Sequence, residues 1–103
     1  MTGQEINMQL ALAIGHKSGW VNTHGTDSVW VFTGTTNRQF DYRDPAVIWP
    51  IAERFDAFPS KSQGLSPGWW PRGVVRGKCM SHIGICDTAA KAVALAVIEG
   101  MKK

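Results

Sequence analysis

The sequence predicts a compact α+β domain: a small antiparallel β-sheet with three helices, arranged as a three-layer α/β/α sandwich with helices on both sides of the sheet. Three observations predict it. Stretches of helical periodicity open, divide and close the chain. Between the first two, the texture shifts to β-branched and aromatic residues around a turn. The 103 residues, 44% apolar and 18% charged, suit a single domain, residues 1–103, with one modest core.

Thr2-Gly3-Gln4-Glu5 fits a capping box with Thr2 at the N-cap. Ile6, Leu10, Ala13 and Ile14 follow with helical spacing, and Gly15 is a natural stop, so a first helix is expected over about residues 3–15. Trp20-Val21 and Val29-Trp30-Val31-Phe32 read as two antiparallel strands, with His24-Gly25-Thr26-Asp27 as the turn between them. Thr33 to Asn37 reads as a polar loop, and Phe40 and Tyr42 lead towards the next helix.

Asp44-Pro45 is a helix start: an acceptor side chain at the N-cap, then a proline where its missing N–H is harmless. Ile48, Ile51, Ala52 and Phe55 form the apolar stripe, with Phe58 a further candidate. Pro50 falls inside that helix, so a kink or a separate first turn is expected. Residues 59–67 are rich in Ser, Gly and Pro and read as a surface loop. Trp69, Trp70, Val74 and Val75 suggest a third strand, and Pro71 argues for an edge or a bulge. The last helix begins after Asp87 or Thr88 and ends near Gly100, its alanines allowing close approach to a sheet.

Function classes narrow next. The formal net charge of +3 permits nucleic acid or acidic protein partners and demands neither. No apolar run approaches a membrane span, and no charged segment with an apolar run opens the chain. A cytoplasmic protein with reduced Cys79 and Cys86 is therefore expected, with no membrane partner.

Glu5-Ile6-Asn7 in the first helix, "FDYRDPAVIWPI" in the centre and "ICDTAAKAVALAVI" at the end resemble the bacteriophage NinX-like family. Tyr42, Asp44, Pro45, Trp49, Pro50 and Ile51 carry its central motif, the most specific part of the likeness. The likeness spans most of the chain but is weak over residues 16–38 and 59–78. It implies an α/β/α sandwich and a phage gene product made in the bacterial host cytoplasm. It brings no chemistry and no catalytic residues.

Cys79, His82 and Cys86 place three soft ligands at short spacing. A structural zinc site takes four, usually in closely spaced pairs, and the fourth would have to come from distant His16 or His24. The expected role of this stretch is a loop feeding a capped helix. A thiol enzyme would need a base and an oxyanion-stabilising loop beside the cysteine, and no glycine-rich loop accompanies it. The deaminase signature and the phosphate-loop and dinucleotide motifs are also absent from the sequence. Asp41, Asp44, Glu53 and Asp56 read as a cap and a solvated helix face. No catalytic residue, metal or cofactor is expected.

"GWWPRGVVRGK" is the stronger candidate. Adjacent strand residues point to opposite faces, so one of Trp69 and Trp70 is expected buried and the other exposed. Arg72, Arg76 and Lys78 add positive charge in a stretch that holds no acid between Asp56 and Asp87. Exposed Trp beside Arg is the composition of binding hot spots. The partner expected is a host protein. Its concrete form is a bacterial defence complex, inhibited in the manner of an anti-CRISPR protein. That last step comes from the biology of small phage proteins, not from a residue here. The competing reading is a nucleic-acid-binding module, with rings stacked on bases and Arg and Lys on phosphates.

Overall fold

The computed structural model describes residues 2–25, 27–61, 68–71 and 84–101. Among these residues, three helices accompany a three-stranded antiparallel sheet and a two-stranded ribbon, the mixed α+β class expected.

Helix α1 spans Gly3–Ala13. Its capping box forms as the sequence dictates: Thr2 Oγ1 accepts from Glu5 N at 3.1 Å, and Glu5 Oε1 accepts from Thr2 N at 3.4 Å. Gly15, at φ +109°, ends it in a Schellman turn. Its N–H donates to Leu12 O at 3.2 Å, and His16 N donates to Ala11 O at 3.1 Å. Ile6, Asn7, Leu10 and Ala11 form the buried face.

A single 3₁₀ turn, Ser18–Trp20, leads into strand β1, Val21–His24. Trp20 thus lies outside the strand expected to include it. β2 (Ser28–Phe32) and β3 (Asn37–Phe40) complete a meander of order β1-β2-β3. Strand β3 replaces the expected approach to a helix. Its first three residues are exposed, and its pairing with β2 defines it. The register sets Val21 opposite Val31 and Val29 opposite Phe40, so these four buried residues share the core face. Trp30 and Phe32 take the other face.

Helix α2 spans Pro45–Phe55, with Asp44 Oδ1 accepting from Ala46 N at 3.0 Å. It runs unbroken through Pro50, so the first turn is not separate. Pro50 forgoes only the bond to Ala46, while the buried Ile48, Ile51 and Ala52 hold the helix to the core. Asp56 closes it in the left-handed conformation, φ 51°. Asp56 N then reaches Glu53 O at 3.3 Å, and Ala57 N reaches Ala52 O at 2.9 Å.

Helix α3 spans Ala89–Gly100, and Ala92, Val93, Ala94, Ala96, Val97 and Ile98 are all buried. A helix buried on nearly every side belongs at the centre of a fold. α3 touches both α1 and α2, and α1 in turn lies on β1 and β2. The core forms where these elements meet, around Ile6, Leu10, Val29, Ile48, Val93 and Val97. Among the described residues, no helix is long and apolar enough to cross a membrane.

Candidate partner-binding surface

The Trp69–Trp70 pair is strand β5, set antiparallel to β4, Ser60–Lys61. Lys61 pairs with Trp69 on one side. On the other, Trp69 N donates to Cys86 O at 2.8 Å, and Cys86 N donates to Trp69 O at 2.9 Å. β5 is thus the edge of a two-stranded ribbon, the setting that Pro71 predicts, with a single bridge to Cys86 along the other side of Trp69.

Gly68 makes this approach possible. It sits at φ +147°, and a Cβ there would meet Ile85 Cγ2 and lie 2.7 Å from Cys86 O. Pro71 follows at once, fully buried. Within this seat both rings are half-buried, in place of one buried and one exposed. Strand geometry still sends the rings to opposite faces. However, a ribbon two residues long is too narrow to cover an indole on either side. Of the residues grouped with this pair, Arg72, Arg76 and Lys78 lie outside the described residues.

The cysteine stretch keeps a structural character where it is described. Cys86 is buried, its Sγ 3.9 Å from Gly84 O. Burial pushes its thiol up, with nearby Asp87 adding to the rise and Lys91 opposing it. A thiol held in its protonated form is a poor nucleophile and a poor metal ligand. Cys79 and His82 lie outside the described residues. His16 stands edge-on to Phe40, with ring centres 6.2 Å apart. Among the described residues, no three His, Cys, Asp or Glu gather as a metal site. Thr88, not Asp87, caps α3: its Oγ1 accepts from Lys91 N at 3.1 Å. A threonine hydroxyl at that position reaches the third amide of the helix, while Asp87 makes a loose ion pair with Lys91 at 4.0 Å.

Two of the central carboxylates act as capping and pairing groups. Asp44 caps α2, and Asp41 grips Arg43 through Oδ1 to Nε at 3.0 Å and Oδ2 to Nη2 at 2.8 Å. Those hydrogen bonds hold the Asp41 carboxyl below the usual carboxylate range.

Two features escaped the sequence reading. One is Asn7, wholly buried, which ties three segments together. Its Nδ2 donates to Asp27 O at 2.7 Å, and its Oδ1 accepts from Tyr42 N at 2.6 Å. Its signal was its place beside Ile6 on the stripe continued by Leu10. The other is a set of exposed aromatics. Trp20 is 40% exposed, stands edge-on to Phe32 at 5.4 Å and carries Lys17 Nζ 4.9 Å over its ring. Trp49 is 40% and Phe58 49% exposed. For Trp49 the signal was helical spacing: with Ile48, Ile51 and Ala52 facing inward, position 49 must face out.

No protein family, curated protein or solved structure matches the chain.

Proposed function

We propose that this is a small bacteriophage accessory protein of NinX-like type, which acts by binding a host protein in the host cytoplasm. Its contact residues are Trp69 and Trp70 with Arg72, Arg76 and Lys78. The observation that carries this is the Trp69–Trp70 seat. The backbone is hydrogen-bonded on both sides and followed by a buried proline, yet both rings remain partly in water. A fixed backbone with large, half-exposed rings loses little entropy on binding, which is what an anchor residue requires. The basic residues that follow in sequence suit an acidic protein surface. Inhibition of a defence complex, in the anti-CRISPR manner, is the concrete form of the reading.

The test is affinity capture from lysate of the bacterial host, with the wild-type chain beside Trp69→Ala, Trp70→Ala and Arg72→Glu/Arg76→Glu. Circular dichroism confirms that each variant is folded. The expected result is one host protein retained by the wild type. At least one Trp variant should weaken its binding by about 2 kcal/mol or more, near thirtyfold. The charge-reversed variant should associate more slowly with a smaller salt dependence. Capture of nucleic acid with steep salt dependence, and of no protein, would replace this reading with the nucleic-acid module.

A further inference from the structure

Helix α2 turns an unusual face to solvent. Ile48, Ile51 and Ala52 point inward, whereas Pro45, Ala46, Trp49, Pro50 and Glu53 are all exposed. Ala46, Trp49, Pro50 and Glu53 are spaced i, i+3, i+4 and i+7, so they lie on one side of the helix.

Three groups on this side are electron-rich. Pro50 has no N–H, so the Ala46 carbonyl lacks the donor that the fifth residue of a helical turn normally supplies. A proline ring also pushes that carbonyl away from the helix axis, towards water. One turn beyond Trp49, the exposed Glu53 carboxylate has no hydrogen-bond or ion-pair partner among the described residues. Between them stands the Trp49 indole, 40% exposed, whose ring makes no aromatic or cationic contact among the described residues.

Among the described residues, the two arginines nearest in sequence to this face are committed elsewhere. Arg43 is held by Asp41 at 2.8 Å, and Arg54 donates to Ile14 O at 3.3 Å with its guanidinium 4.9 Å from the Phe55 ring centre. Stability alone favours neither an internal proline nor an exposed tryptophan on a helix surface. Breaks of local rules without a folded-state gain concentrate at functional positions.

We propose that this face of α2 is a docking site for an arginine side chain of a partner protein. The charge is complementary: a carboxylate, a carbonyl without its usual helical donor and the negative face of an indole share one side of the helix. A guanidinium is planar, stacks on the indole and donates in its own plane to acceptors at its rim. A lysine ammonium has no such plane, and a phosphate or carboxylate would meet acceptors only. The site shares no residue with the Trp69–Trp70 surface and stands or falls independently of it.

The experiment is nuclear magnetic resonance titration of the ¹⁵N-labelled full chain with the blocked peptide acetyl-Gly-Arg-Gly-amide. The Trp49 indole signal is assigned with Trp49→Phe. The expected result is saturable shifts at the Trp49 indole and at amides 46–53, with a Kd of about 10–50 mM, the strength of one cation–π contact and one exposed ion pair. Glu53→Gln should weaken binding about two- to fivefold. Pro50→Ala, which returns a donor to the Ala46 carbonyl, should also weaken it while raising the unfolding midpoint. The matching Lys peptide should bind more weakly, and the Glu peptide should leave the Trp49 indole unmoved. Absent shifts, equal response to the Arg and Lys peptides, or unchanged affinity in Glu53→Gln would overturn the proposal. The two conservative variants keep the test decisive if a change at Trp49 disturbs folding.

Discussion

Asn7 Oδ1 accepts a 2.6 Å hydrogen bond from Tyr42 N, joining residues 35 positions apart. The amide's other end donates to Asp27 O at 2.7 Å. One buried side chain thus fixes α1 against the turn after β1 and against the start of α2. Asp41, beside it, accepts from Arg43 and lies 3.5 Å from Asn7 Nδ2. Asn7 and Tyr42 belong to two of the three strings that carry the proposed NinX-like resemblance. Their pairing gives those strings a shared structural task.

Asn7→Ala should therefore be among the most damaging single changes outside the apolar core. It leaves the Tyr42 N–H and the Asp27 carbonyl without their partner, at a cost of about 2–4 kcal/mol. Urea unfolding should show a lower midpoint with an unchanged slope. A midpoint within error of the wild type would mean that water replaces the amide without loss.

Stability should fall in two acid windows. Burial, assisted by the charge of Arg54, holds the His16 imidazole below its ordinary value. The unfolded chain then binds that proton first, so stability drops as pH falls below about 6.5 towards the lowered folded value. His16→Gln should remove this step. Asp41 acts lower. Its hydrogen bonds with Arg43 depress the folded carboxyl, so its contribution is present above about pH 4 and is lost as pH falls through the depressed value. Asp41→Asn should remove that second step. Unfolding midpoints from pH 7.5 to 2.5 for the three proteins separate the two.

At the start of α3, Thr88→Ala should cost about 0.5–2 kcal/mol, because it removes the acceptor for Lys91 N. Asp87→Ala should cost no more than about 0.5 kcal/mol, since its ion pair with Lys91 is 4.0 Å long and solvent-exposed. Equal thermal midpoints for the two variants would contradict this ranking.

Gly68→Ala should loosen the seat of Trp69. The added methyl meets Ile85 and the Cys86 carbonyl in a backbone conformation that side chains rarely adopt. A loss of about 1–3 kcal/mol is expected, with faster hydrogen exchange at the Trp69 and Cys86 amides. Unchanged exchange at those two amides would show that the ribbon does not depend on this glycine.

Where structure is set by near neighbours, the sequence was a good guide. Thr2 with Glu5, Gly15, and Asp44 with Pro45 are each a few residues apart, and α1 and α2 begin or end where they dictate. The start of α3 was ambiguous by one residue because Asp87 and Thr88 are both competent caps. Strand β3 was not legible: Asn37-Arg38-Gln39 has no apolar alternation, and its strand character comes from β2 alone. For Trp69 and Trp70, alternation gave the direction of each ring but not what lies above it. The proposed contact residues share this limit, because a surface is defined by what fails to cover it, and coverage depends on distant segments.

Helix α3 bears on how the chain folds as it is made. Its inward residues, Ala92 to Ile98, close the core built by Ile6, Leu10, Val29 and Ile48, yet they are synthesised more than forty positions after Ile48. Until they leave the ribosome, α1, the sheet and α2 have no completed interior to fold around. The nascent chain must carry its apolar stripes exposed until α3 has been made. Rapid closure once α3 emerges, or shelter by a chaperone until then, becomes a condition for obtaining the folded protein.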